Sequence, residues 1–197
     1  MIVPHRGLEA AKTRLAPVLS PTERVDLARR LLLHVIEVAL ATIDIDGDVM
    51  VISPDVALAS VVGPAGATLV VQEGLGLNAG LDQARAAAVR DRVETLVVLH
   101  GDIPNLRADD VRSLVAALPR PVGVAIAPDR AGTGTNALVL SPPDAIPFRF
   151  GPGSFALHCT EAAERDIPLV AVDRAGLAFD LDTPADLMRW LELGDAA

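Results

Sequence analysis

Three aspartates and one basic loop are the groups in this chain whose chemistry can combine. Asp102 follows an apolar run in His100-Gly101-Asp102-Ile103-Pro104, and Asp180 and Asp182 flank one leucine in Phe179-Asp180-Leu181-Asp182. Residues at i and i+2 of an extended segment share a face, so this pair presents two carboxylates together. With a third carboxylate from a neighbouring strand end, the group can hold Mg²⁺, which takes oxygen ligands and leaves positions for substrate phosphates. Asp182 has a second reading, because Asp182-Thr183-Pro184 is also a helix start and its carboxylate can serve as the cap. Both roles fit one segment. The basic loop lies within residues 1–14, where Arg6, Lys12 and Arg14 face one acid, Glu9. An arginine fork and a lysine point charge suit a polyphosphate; the same residues also read as a solvated surface loop.

Two glycine-rich turns add anion-binding potential. In Gly132-Thr133-Gly134-Thr135-Asn136, backbone N–H groups and hydroxyls before a strand are expected to be free for an anion. Phe150-Gly151-Pro152-Gly153-Ser154-Phe155 feeds a helix N-terminus, where unpaired N–H groups favour a phosphate. In Gly74-Leu75-Gly76-Leu77-Asn78-Ala79-Gly80, Asn78 is expected to be an N-cap and a candidate contact for a nucleoside. His34 and His158 fall in helical patterns and read as packing or surface residues, and Cys159 as an inert thiol. There is no Gly-Lys-Ser/Thr phosphate loop and no Gly-x-Ser-x-Gly elbow.

Composition narrows the partners. The chain has 197 residues, 51% hydrophobic and 22% charged, with a net charge of −9. That balance disfavours nucleic acid and anionic membranes, which select a broad positive field. Aromatics are 3% with no Tyr, too few for base-stacking platforms. One cysteine excludes an internal disulfide. The longest apolar stretch, 31–43, is interrupted by His34 and Glu37, short of the roughly 18 to 20 apolar residues of a membrane span. No charged-then-apolar signal layout opens the chain, so it reads as a soluble, cytoplasmic protein.

These groups need a scaffold, and the pattern supplies one. Apolar strand runs are expected at 1–4, 48–53, 68–72, 94–100, 122–128, 137–141 and 168–173, the central ones continuous enough to be buried on both faces. Helices are expected between them. One opens at Ser20-Pro21-Thr22-Glu23, a capping box with Pro at the first helical position, and runs to about residue 42 with Val25, Leu32, Val35, Ile36 and Ala39 near one face. Others are expected at 78–90, 108–118, 153–165 and 184–193. This alternation predicts one domain over residues 1–197, a three-layer α/β/α sandwich on a mostly parallel sheet. Ligands then bind beyond the carboxyl ends of the strands.

Taken in order, Pro4 through Leu15 (especially Ala11-Lys12-Thr13-Arg14-Leu15-Ala16), Gly76-Leu77-Asn78, Asp102-Ile103-Pro104, Ala127-Pro128-Asp129-Arg130, Gly132 through Leu138, Phe150 through Phe155 and Asp180-Leu181-Asp182-Thr183-Pro184 resemble the 2-phospho-L-lactate/phosphoenolpyruvate guanylyltransferase family, which makes an activated intermediate of the deazaflavin coenzyme F-420. The resemblance implies a nucleotide-diphospho-sugar transferase (glycosyltransferase-A-like) fold, Mg²⁺ as cofactor, GTP and a phosphorylated three-carbon acid as substrates, and a downstream transferase as a partner. It further implies that Asp102, Asp180 and Asp182 bind metal, that Lys12 and Arg14, with Arg6 and Asn78, serve the nucleotide, and that Thr135, Gly151 and Ser154 hold the acid. Lys12, Arg14 and Asp102 would be the catalytic groups. Arg6 stands where the family commonly has Lys. A substrate phosphate is already an anion at neutral pH, so the reaction needs countercharge and no His or Cys base. Two alternatives stand beside this: a nucleotidyltransferase of the same fold for molybdopterin or a sugar phosphate, and a non-catalytic nucleotide-binding module.

Overall fold

The apolar runs pair into one seven-stranded sheet in the computed structural model, which describes residues 1–42 and 47–194. Ile43, the end of the longest apolar stretch, lies outside the described residues. The strands are β1 (Ile2–Pro4), β2 (Met50–Ser53), β3 (Thr68–Val71), β4 (Leu96–Leu99), β5 (Gly123–Pro128), β6 (Thr135–Ser141) and β7 (Leu169–Ala171). Their order is β3-β2-β1-β4-β6-β5-β7. Only β6 runs against its neighbours β4 and β5; the other adjacent pairs are parallel.

Successive side chains of a strand point to opposite faces, and here both faces are buried. Val3, Val51, Val97, Leu99, Ala125, Ala127, Ala137 and Val139 enter one core. Ile2, Ile52, Leu96, Val98, Val124, Ile126, Leu138 and Leu140 enter the other. The first core is closed by α1 (Pro21–Leu40), α2 (Ala59–Val62), α4 (Ala108–Ala116) and α6 (Ala175–Ala178); the second by α3 (Leu77–Arg90) and α5 (Ser154–Glu164). The expected three layers are present. A small third core joins Leu15, Leu27, Leu31, Phe179 and Leu181 to Leu187 and Trp190 of α7 (Pro184–Gly194). Among the described residues no helix is long and apolar enough to cross a membrane.

Local signals place most boundaries. Ser20 Oγ accepts from Glu23 N at 3.3 Å and Ser20 N donates to Glu23 Oε2 at 2.8 Å, the expected reciprocal cap. The helix stops at Leu40 rather than 42, with Thr42 Oγ1 donating to Ala39 O at 2.8 Å. Two expectations need correction. Gly76, at φ 89°, is the N-cap of α3, so Asn78 sits one residue inside the helix. Strand β6 begins at Thr135, which makes Thr135 and Asn136 strand residues, where the sequence suggested a turn.

Candidate active site

A cavity of about 590 Å³ opens where β1, β2, β3 and β4 end, lined by His5, Arg6, Lys12, Arg14, Ile52, Gln72, Gly76, His100, Asp102 and Asp182 among others. That is the carboxyl edge where open α/β sheets bind ligands. The loop after β1 folds back over it. Gly7 turns that loop at φ 96°, and a Cβ there would lie 2.8 Å from Asp55 Cβ, so only glycine fits. Leu8 N then donates to Asp55 Oδ2 at 3.2 Å and Gly7 N to His5 Nδ1 at 3.0 Å. Lys12 takes a left-handed backbone, φ 55° and ψ 29°, and starts a single 3₁₀ turn, Thr13–Leu15, pinned by the fully buried Leu15. A non-glycine residue at positive φ is uncommon and costs strain. It is held here because Leu15 anchors one side and the Lys12 ammonium the other.

That ammonium is the centre of the site. Its side chain is 4% exposed, and Nζ donates to Asp102 Oδ2 at 2.8 Å and to Asp182 Oδ1 at 3.0 Å. Arg14 Nη1 lies 3.6 Å from Asp182 Oδ2 and is largely solvated. Burial would lower the Lys12 value, but Asp102 and Asp182 override it and raise it. Burial opposes ionisation of Asp102, and Lys12 overrides it with help from His100, so that its carboxyl lies below the ordinary value. Leu181 N donates to Asp102 O at 3.2 Å, tying the two acidic segments together. Phe179 and Leu181 point into the third core, which leaves Asp180 and Asp182 on the other face, as the i, i+2 spacing requires.

Asp182 does not cap the last helix. Thr183 Oγ1 accepts from Asp186 N at 3.3 Å while Asp186 Oδ2 accepts from Thr183 N at 2.8 Å, so Thr183 and Asp186 form the reciprocal cap and the Asp182 carboxylate is released to the cavity. Arg130 Nη2 donates to Asp186 Oδ1 at 2.9 Å. Burial resists ionisation of Asp186, yet the hydrogen bonds from Thr183 and Arg130 win and lower its value. Its folded value lies below its unfolded one, so its stabilisation is complete above the ordinary carboxylate range and is lost as pH falls through the folded value. Asp186→Ala is expected to lower stability by about 1–2 kcal/mol at pH 7 through loss of the cap, read as a shift in the urea midpoint.

The remaining predicted residues form a second group. Thr135 and Ser154 are each 2% exposed, and Ser154 Oγ lies 3.2 Å from Thr135 Oγ1. Gly151 stands at φ 134° with open space where a Cβ would be. None of the three lines the cavity; the ring of Phe150, next to Gly151 in sequence, lies 5.2 Å from that of His100 in the cavity wall. The two turns are less open than the sequence suggests. Gly132 N donates to Asp129 O, Thr133 N to Asp129 Oδ1, Ser154 N to Gly151 O and Phe155 N to Thr133 O. Those amides are consumed in closing the turns. Asn78 is also committed: Nδ2 donates to Phe150 O at 3.0 Å, and Oδ1 accepts from Phe150 N at 2.9 Å. Arg6 lines the cavity.

Asp180 is raised above the ordinary carboxylate value, first by burial and then by Asp102, with Asp182 and Asp129 adding to it. No lysine or arginine pairs with it among the described residues. Asp102 Oδ1 is buried with no hydrogen-bond partner among the described residues. Oxygen donors in that condition fit a hard cation. Among the described residues no three metal-binding side chains converge as a finished cage.

Sequence reasoning overlooked His5, His100, Asp186 and the burial of His158. The first two directly follow β1 and β4, the positions the strand-end rule selects. Burial, the largest cause, pushes His5 and His158 down to about 4. For each, the unfolded chain takes up a proton first, so stability is complete above about pH 6.5 and declines as pH falls from there toward 4, by up to about 3 kcal/mol per group. Thermal unfolding midpoints between pH 7.5 and 4.5 test this, and a flat profile would contradict it. His34 Nε2 lies 3.0 Å from Leu106 O, a packing role as expected.

Comparison with known proteins adds lineage to this geometry. The sequence profile of the family described as "Guanylyl transferase CofC like" matches residues 1–196. A phosphoenolpyruvate guanylyltransferase of Sphaerobacter thermophilus is 46% identical over 186 residues, covering 94% of this chain and 89% of that protein. Another from Rubrobacter xylanophilus is 40% identical over 188 residues, covering 95% and 91%. Among solved structures, a provisionally assigned nucleotide-diphospho-sugar transferase from Desulfovibrio desulfuricans G20 superposes with TM-score 0.76 at 20% identity, covering 94% of this chain and 83% of that one. A nucleotidyl transferase from Methanothermobacter thermautotroptrophicus gives 0.68 at 17% identity, covering 98% and 95%. The structural likenesses fix the fold as that of the nucleotidyl and nucleotide-diphospho-sugar transferases. With a profile matching nearly every residue and close relatives along almost the full length, the chain belongs to the CofC-like guanylyl transferase family.

Proposed function

We propose that this guanylyltransferase joins the guanylyl group of GTP to the phosphate of phosphoenolpyruvate, releasing pyrophosphate, with 2-phospho-L-lactate, which differs only by small groups at C2 and C3, as a second acceptor. The observation that carries the reading is the Lys12 ammonium set between Asp102 and Asp182 on the wall of a cavity at the sheet's carboxyl edge. A cation clamped by two carboxylates stays charged and fixed, which electrostatic stabilisation of a phosphoryl-type transition state requires. The names of the curated relatives support the choice of acid.

An oxygen of the acid's phosphate forms a bond to the α-phosphorus of GTP, and the α–β bridging bond breaks as its electron pair leaves with pyrophosphate. Lys12 holds positive charge beside the phosphates, and Arg6 and Arg14 face the same cavity as mobile countercharges. The attacking oxygen is already anionic, so His5 and His100 can remain neutral and no base is needed. Asp102 and Asp182 would hold Mg²⁺, which when bound supplies countercharge to the phosphates and orients them; Asp180 does not line the cavity. The product, an acid activated through a diphosphate link to guanosine, is suited to a further transferase of coenzyme F-420 biosynthesis in the cytoplasm. Incubation with GTP, Mg²⁺ and, separately, phosphoenolpyruvate, 2-phospho-L-lactate and 3-phosphoglycerate tests the reading. Pyrophosphate release is expected with phosphoenolpyruvate, and silence with all three acids would reject it.

A further inference from the structure

The group around Thr135 and Ser154 contains a side chain that the transfer chemistry has not used. His158 is fully buried. Its Nε2 accepts from Arg149 N at 3.0 Å, and its Nδ1 lies 3.1 Å from Thr135 Oγ1. Its ring meets Phe150 edge-on at 4.9 Å, and Phe150 in turn borders His100 in the cavity wall.

The positions of the protons follow from counting donors. A backbone N–H can only donate, so His158 Nε2 must present a lone pair. A neutral imidazole then carries its hydrogen on Nδ1. Burial keeps this ring neutral at pH 7, against the pull of Glu161. Nδ1–H therefore donates to Thr135 Oγ1. A threonine hydroxyl has two lone pairs and one hydrogen; Ser154 Oγ lies 3.2 Å from the same oxygen. With Nδ1–H donating to it, the Thr135 hydroxyl does not spend its own hydrogen on His158. Gly151 and Gly153, at φ 134° and 72°, leave open space where side chains would stand. The Arg149–Gly153 segment is gripped twice, by His158 at Arg149 N and by Asn78 at both backbone groups of Phe150.

We propose that His158 is a positioning residue for the phosphorylated acid: held as the Nδ1–H tautomer, it leaves the hydrogen of the Thr135 hydroxyl free for an anionic oxygen of that substrate and fixes the Arg149–Gly153 loop. This rests on the reading of Thr135, Gly151 and Ser154 as the acid's side of the site. His158 acts on acid binding and not on the nucleotide, since its hydrogen bonds go to Thr135 and the Arg149 amide, and neither residue lines the cavity that holds Lys12.

Two replacements divide its functions. His158→Asn places an amide N–H near the position of Nδ1 and keeps the bond to Thr135. His158→Gln places its amide near Nε2, keeps the bond to Arg149 N and loses the one to Thr135. With GTP varied, both variants are expected to keep the parent KM for GTP. With phosphoenolpyruvate varied, His158→Gln is expected to raise the acid KM about tenfold, the loss of roughly one hydrogen bond, while His158→Asn stays within about threefold. Thr135→Val should match His158→Gln, and the double variant should add nothing to either alone. Equal effects of Asn and Gln, a shift in the GTP KM, or additivity in the double variant would overturn the proposal. A two-bond ¹⁵N–¹H spectrum of histidine-labelled protein checks the tautomer without turnover: His158 is expected with Nδ1 protonated and Nε2 bare at pH 7, and the reverse tautomer overturns it. A parent protein silent with every acid, yet showing the Nδ1–H signal, would sink the substrate assignment and leave the tautomer lock standing.

Discussion

Lys12→Met will lower kcat/KM for guanylyl transfer by about a thousandfold, since removing one preorganised charge from a phosphoryl-type transition state costs on that order. The methionine keeps the length of the stem and its packing, so the loss isolates the ammonium. Lys12 is 4% exposed and touches both Asp102 and Asp182. Its removal leaves two carboxylates facing one another without countercharge. Breaking a fully buried pair costs several kcal/mol, but Asp102 and Asp182 are 27% and 39% exposed, so solvent screening reduces the folding penalty to about 1–2 kcal/mol. Stability and activity therefore separate: the protein stays folded while turnover collapses. Lys12→Arg is not expected to restore it, because a planar guanidinium does not fit a buried point-charge position. Arg14→Ala, at a largely solvated side chain, is expected to cost only about tenfold in kcat/KM. Pyrophosphate release at varied GTP, with a urea titration of each variant, measures both quantities. A Lys12→Met enzyme within tenfold of the parent would contradict the role.

Asp102→Asn is the second large effect. The substitution preserves shape and removes one charge, leaving Lys12 paired to Asp182 alone. Asp102 Oδ1 is buried and without a partner among the described residues, the observation on which its proposed contact with Mg²⁺ rests. Turnover is expected to fall by about a hundredfold to a thousandfold, and the Mg²⁺ concentration for half-maximal rate is expected to rise. Asp182→Asn should cost less, because its carboxylate is more exposed and the cap of α7 depends on Thr183 and Asp186. A titration of rate against Mg²⁺ for the three proteins tests this. An unchanged metal requirement in Asp102→Asn would remove Asp102 from the proposed metal ligands.

The scaffold was legible because local rules and tertiary burial agree. Continuous runs such as Leu96-Val97-Val98-Leu99 are strands because both faces of β4 face a core, and Ser20-Pro21-Thr22-Glu23 starts a helix by its own hydrogen bonds. The juxtaposition of Lys12 with Asp102 and Asp182 was legible as a consequence of strand-end placement, though the residues are up to 170 positions apart in sequence. What stayed hidden was where polar groups spend their hydrogen bonds. Asn78 carries the sequence mark of a cap, yet its amide clasps Phe150 because the loop over residues 149–153 folds against α3. Glycine–threonine turns look open until Asp129 is seen to close one of them. His158 has no distinguishing neighbour in sequence; only the distant Thr135 and the Arg149 amide give its ring a direction.

The most direct test of substrate-phosphate attack is an oxygen-label experiment. Phosphoenolpyruvate carrying ¹⁸O in its phosphate is incubated with GTP, Mg²⁺ and the enzyme, and the products are read by ³¹P NMR. The account predicts ¹⁸O in the bridge between the two phosphorus atoms of the new diphosphate and unlabelled pyrophosphate. Label in the pyrophosphate, or a product without a labelled bridge, would contradict it.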